Sequence, residues 1–82
     1  MKYEYTPKGV CSRKMIFDIE DNTIKSLQVE GGCNGNLKGI SSIVIGMDID
    51  KVINAFEDIK CNMKNTSCPD QIARALKEYK QI

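Results

Sequence analysis

Histidine is absent from the 82-residue chain. That removes the serine–histidine–acid set and leaves no imidazole to act as general base. No pair of carboxylates stands apart from the dispersed acidic residues, so paired general acid–base chemistry has no candidate either. Long apolar runs are missing as well. The longest, Ile43-Val44-Ile45, is far too short to cross a membrane. The opening residues, Met1-Lys2-Tyr3-Glu4-Tyr5, hold no apolar stretch of the kind a secretory signal requires. The expected setting is therefore the cytoplasm. An excess of one charge is also lacking. Twelve Lys and Arg face eleven Asp and Glu, a formal net charge of +1, with the signs interspersed. Without a basic block, a sequence-independent nucleic-acid surface is not expected. Folding could gather Lys8, Arg13, Lys14 and Lys38 around one site, although a mixed solvated surface is the commoner outcome. There is no internal repeat, low-complexity segment or linker. Residues 1–82 read as one domain, near the lower size limit for a self-sufficient core. At that size, disulfides, a metal or oligomerisation commonly add stability.

What the chain does have is four cysteines, Cys11, Cys33, Cys61 and Cys68. In a cytoplasmic protein they read as thiols or metal ligands rather than disulfides. Thiolates are soft ligands suited to Zn²⁺ or iron–sulfur chemistry, and the thiolate is also the reactive form of cysteine. Spacing alone is a weak signal. Twenty-one, twenty-seven and six residues separate successive cysteines, and none of these intervals is the C-x₂-C knuckle of a zinc ribbon. Each thiol taken singly is as well explained as core filler.

Local context favours a shared site. Cys11 precedes a strand, Cys33 sits in the turn Gly31-Gly32-Cys33-Asn34-Gly35, and Cys68 opens the last helix. A helix N-terminus carries unpaired N–H groups and partial positive charge, which favour a thiolate. Thiols at element ends point to one pole of the domain.

The elements follow from pattern. Lys2–Thr6 is a short β-prone segment ending at Pro7, which suits an edge strand. Lys14–Glu20 alternates, with Met15, Phe17 and Ile19 on one face. Asp21-Asn22 signals a turn, and Ile24–Glu30 returns through Leu27 and Val29 to complete an antiparallel hairpin. Asn36–Gly46 puts Leu37, Ile40 and Val44 on one stripe but is a weak helix, given Gly39 and three consecutive β-branched residues. Asp48 suits an N-cap. The following Ile49, Val52, Ile53, Phe56 and Ile59 form a strong amphipathic pattern. The last helix starts with Pro69 in the first helical position, Ser67 or Cys68 as N-cap, and Asp70 in the first turn. Ile72, Ala73, Leu76 and Tyr79 form its buried face. Tyr3, Tyr5 and Tyr79 read as packing residues. The expected fold is α+β, an N-terminal antiparallel sheet of two to three strands packed against two to three C-terminal helices.

The stretch from Gly31 to Gly39 has glycines ahead of a helix, as a phosphate-cradling loop does. It lacks both the Gly-Lys-Ser/Thr ending of a P-loop and the spacing of a dinucleotide fingerprint.

The run Thr66-Ser67-Cys68-Pro69-Asp70 is the motif that names the TSCPD domain family. With Gly31-Gly32-Cys33-Asn34-Gly35-Asn36, the length and the four cysteines, the whole chain resembles the small stand-alone four-cysteine members. Related domains occur at the carboxyl end of cobalamin-dependent ribonucleotide reductases. The resemblance thus implies an accessory role toward a reductase subunit or a nucleotide. The chain is too short to be such a reductase itself. More distantly, the order of elements and cysteines is similar to iron–sulfur scaffold proteins of the NifU/IscU type. That similarity implies Cys11, Cys33 and Cys68 as principal ligands. The scaffold family has an acidic residue two positions after its first cysteine, where this chain has Arg13, and a histidine before its last, where it has Ser67. Cys61 is additional and would complete an all-thiolate set. These departures favour a closed site over cluster assembly and transfer.

Together these readings give a non-catalytic metal-binding module with Cys11, Cys33, Cys61 and Cys68 as ligands. Zinc is the first expectation and an iron–sulfur cluster the second. A thiol-redox pair of Cys61 and Cys68 and the reductase-accessory role remain open.

Overall fold

Alternation along the second strand decides where the sheet turns its face. In the computed structural model Met15, Phe17 and Ile19 are buried while their neighbours reach toward solvent. The structure describes residues 1–10, 12–31, 34–60 and 66–81, and of Asn34 the backbone alone. Three strands, β1 (Lys2–Tyr5), β2 (Ser12–Glu20) and β3 (Thr23–Gly31), form one antiparallel sheet in the order β1-β2-β3. β2 starts two residues earlier than the alternation predicts. Arg13 is the extra residue there, because Ser12 pairs with Gly31 and Lys14 with Glu30.

The hairpin between β2 and β3 closes through Asp21 (φ 52°) and Asn22 (φ 63°). Both residues are left-handed, as a two-residue type I′ turn requires, and Asp and Asn tolerate that region better than most residues. A second irregularity pairs Asp18 with Ser26 and Ile19 with Ile24, so Lys25 is extra on β3. This is why Ile24 and Leu27, three residues apart, are both buried.

Three helices follow, α1 (Asn34–Ile43), α2 (Ile49–Phe56) and α3 (Cys68–Lys80). The architecture is the expected α+β one, a three-stranded N-terminal sheet followed by helices. α1 buries Leu37. Of the β-branched run only Val44 enters the core, because the helix ends at Ile43. Ile43 and Ile45 stay 70% and 55% exposed. Gly46, at φ 83°, turns the chain back onto the outer edge of β3. There the Gly46 N–H donates to Ile24 O (2.7 Å) and the Ile24 N–H to Met47 O (3.0 Å), covering that end of an edge strand.

Asp48 caps α2, its carboxylate accepting the Asp50 N–H at 3.0 Å. α2 stops at Phe56, short of Ile59: Glu57 is already extended (ψ 145°) and Asp58 left-handed (φ 64°), and Ile59 is 41% exposed. α2 and α3 pack together. Their Ile49, Val52, Ile53, Ile72, Ala75 and Leu76 meet Met15, Phe17, Ile19, Ile24 and Leu27 of the sheet in one core. Tyr3, Tyr5 and Tyr79 pack at its margin as expected, with Tyr3 and Tyr79 edge to face at 5.5 Å. Among the described residues no helix is long and apolar enough to cross a membrane.

Candidate thiolate site

α3 begins one residue earlier than Pro69 alone implies. Ser67 is the N-cap, which makes Cys68 the first helical residue and Pro69 the second. The Ser67 hydroxyl has two roles. It accepts the Asp70 N–H at 3.2 Å and donates to the Ile59 carbonyl at 2.6 Å. The cap therefore also ties the helix to the chain that leaves α2.

Asp70 is only 2% exposed. Its carboxylate accepts the Asp58 N–H at 2.8 Å and the Thr66 hydroxyl, and pairs with Arg74 Nε at 3.0 Å, one helical turn on. Burial disfavours its charged form, but the Thr66, Asp58 and Arg74 donors outweigh that and hold the carboxyl below the usual carboxylate range. Beside it Gln71, also 2% exposed, donates to Thr66 Oγ1 at 2.9 Å. Its carbonyl oxygen accepts the Lys8 N–H at 3.0 Å and the Tyr5 hydroxyl at 3.2 Å. The five residues from Thr66 to Asp70, with Gln71, are thus a hydrogen-bonded latch joining α3, the end of α2 and the β1–β2 connection. Its buried polar atoms are matched to partners, as low dielectric demands.

The latch fixes where Cys68 stands. The Cys68 thiol is half-buried, and its Sγ lies 3.6 Å from the hydroxyl of Ser12, the first residue of β2. Cys11, Cys33 and Cys61, the other expected ligands, lie outside the described residues. The chain that flanks them is described, and it converges. Ser12, next to Cys11, touches Cys68 and pairs with Gly31, two residues before Cys33. Ile59, two residues before Cys61, is held by Ser67. Gly9, two residues before Cys11, has φ 75°, and an added Cβ there would stand 3.2 Å from the Thr66 methyl. The approach at Gly9 is therefore both close and left-handed.

The basic side chains that could have gathered around one site are placed otherwise. Lys14 turns to Glu4 at 3.5 Å, and Lys8 reaches the pole through its backbone N–H. The helix-terminus argument for Cys68 also changes. Pro69 has no N–H, the Asp70 N–H is taken by the Ser67 side chain, and the Gln71 N–H by the Ser67 carbonyl at 2.9 Å. The first turn of α3 thus has few donors left for a sulfur. Among the described residues no group of three or more Cys, Asp or Glu is arranged to hold a metal ion. The glycine-rich stretch leads into α1 as expected, though residues 32–33 lie outside the described ones.

Reading the sequence for titratable and soft ligands missed Ser12, Thr66 and Gln71. The signal available for two of them was their place in and beside Thr66-Ser67-Cys68-Pro69-Asp70, where several hydrogen-bonding side chains crowd a helix start.

No curated protein and no solved structure matches the chain. The family model described as TSCPD domain matches residues 1–80, almost the whole length, and its signature is the latch itself: the chain belongs to the TSCPD domain family.

Proposed function

We propose that the domain is a metal-binding module in which Cys11, Cys33, Cys61 and Cys68 hold one ion, with Zn²⁺ in all-thiolate coordination as the first choice. The observation that carries this reading is the convergence of flanking chain on Cys68. Ser12, Gly31, Ile59 and Thr66 bracket the other three cysteine positions in sequence, and all of them meet at the pole where the Cys68 thiol stands. Cys68 at that point is half-buried rather than fully enclosed, unlike a packed core cysteine.

The donor chemistry fits zinc. Four thiolates close a tetrahedral shell, which suits a structural role, and no histidine or free coordination position is needed. An iron–sulfur cluster uses the same four ligands and is the competing occupant. In either case the protein contributes the holding frame. The latch holds the start of α3 through its own hydrogen bonds, and the β2–β3 pairing holds the other side.

The test is anaerobic purification followed by metal analysis by mass spectrometry and a visible spectrum. Near-stoichiometric zinc in a colourless sample supports the reading. Iron with matching sulfide in a brown sample replaces zinc by a cluster. Four thiols that titrate freely in a metal-free protein that refuses added Zn²⁺ overturn it.

A further inference from the structure

Ser12 is a serine where an apolar residue would be expected to pack. It is 4% exposed, at the start of a central strand. A buried hydroxyl needs a partner, and among the described residues its partner is the sulfur of Cys68 at 3.6 Å. A neutral thiol is a poor acceptor, so burying a hydroxyl against one gains little. A thiolate is a far better acceptor, and toward a thiolate the direction of the bond is settled: the hydroxyl donates. The first turn of α3 cannot supply this donor in its place, since Pro69 lacks an N–H and Ser67 engages those of Asp70 and Gln71.

We propose that Ser12 is a positioning residue of the thiolate site, its hydroxyl donating to the Cys68 thiolate so as to fix the sulfur and draw charge from it. The inference rests on the metal-binding reading and deepens it by naming a group outside the ligand set. Its physical role follows from charge. Four thiolates around a divalent ion leave the unit doubly negative, and a donor held in a buried position offsets part of that charge without itself titrating. Because Ser12 also pairs with Gly31, the same residue links the Cys68 side of the pole to the chain entering Cys33.

The test uses the full chain, prepared without oxygen and loaded with Co²⁺, as wild type, Ser12→Ala and Ser12→Thr. Loss of the hydrogen bond makes the thiolate more electron-rich, so the near-ultraviolet sulfur-to-cobalt band of Ser12→Ala moves to longer wavelength. Its Co²⁺ affinity, measured by chelator competition, falls about 10-fold, the lower end of what outer-shell partners contribute. Ser12→Thr keeps the hydroxyl and restores the wild-type band. A merely structural role would lower the melting temperature of Ser12→Ala and leave the band in place. Wild-type binding with a band and affinity unchanged in Ser12→Ala overturns the role of Ser12 while the metal site stands. Failure of the wild type to bind Co²⁺ or Zn²⁺ overturns both.

Discussion

The carboxylate of Asp70, in the first turn of α3, accepts the backbone N–H of Asp58, just past the end of α2, at 2.8 Å. The bond explains two features together. α2 ends early as Glu57 becomes extended and Asp58 left-handed, and the Asp58 N–H is received by a side chain buried in the first turn of the next helix. The same carboxylate binds Thr66 and Arg74, so one residue organises the approach to Cys68 from both sides.

Replacing Asp70 should therefore cost more than a surface ion pair. Asp70→Ala leaves the Asp58 N–H and the Thr66 hydroxyl without their acceptor, and the expected loss is about 2–4 kcal/mol. In a domain of this size each kcal/mol corresponds to about 4–8 °C in melting temperature. Asp70→Asn keeps an acceptor oxygen and should lose roughly half as much. Thermal denaturation of both variants decides the matter. Equal and small losses would show that the latch contributes little.

Ser67 offers a sharper contrast. Aspartate is ordinarily as good an N-cap as serine. Here the hydroxyl must also donate to Ile59 O, at 2.6 Å, and a carboxylate cannot. Ser67→Asp should then be at least as destabilising as Ser67→Ala, by about 1–2 kcal/mol. A variant as stable as the wild type would mean that capping alone matters there.

Alkaline behaviour follows from Tyr3. Burial, the hydrogen bond to Glu78 and the nearby Glu78 charge raise its pKa from the usual tyrosine value of 10.0 to about 12. The folded state thus holds the phenolic proton more tightly than the unfolded chain does. Stability from this source is complete below pH about 10 and is lost as pH climbs toward about 12. Near-ultraviolet titration of tyrosinate should show one group ionising late, absent in Tyr3→Phe. Denaturant midpoints of Tyr3→Phe should also fall less steeply over that interval.

Much of the frame was legible in the sequence, for reasons that can be named. Period-two alternation in Met15, Phe17 and Ile19 and the Asp21-Asn22 turn are local signals, and both stand in the structure. The amphipathic stripe of α2 and the Ser67–Asp70 helix start are equally local. What failed depends on contacts distant in sequence. Ile59 continues the helical stripe, but the chain leaves the helix at Glu57, and Asp70, twelve residues beyond Asp58, receives the Asp58 N–H. The proposed stripe of Leu37, Ile40 and Val44 does face inward, with Leu37 and Val44 buried, but the helix ends at Ile43, before Val44 is reached. The site divides in the same way. The cysteines suggest the proposed ligand set by residue type alone, whereas Ser12 acts through a partner 56 residues away and Gln71 ties Thr66 to partners 63 and 66 residues away, which no local pattern reveals.

Metal removal tests whether this pole is one cooperative unit. The latch joins α3 to the end of α2 and to the β1–β2 connection, and the proposed ion would join these segments again through Cys11, Cys61 and Cys68 and add the β3–α1 connection through Cys33. Binding free energy at such a site adds to folding free energy, because the unfolded chain offers no preformed site. A strong chelator should therefore lower the melting temperature markedly, and re-addition of Zn²⁺ should restore it. Cys11→Ser and Cys33→Ser should each reproduce most of the chelator effect, and chelator should add little to either, since one lost ligand already opens the shell. If only Cys61→Ser and Cys68→Ser alter behaviour, and chelator does nothing, the thiols act as a redox pair, and a dithiol–disulfide potential becomes the quantity to measure.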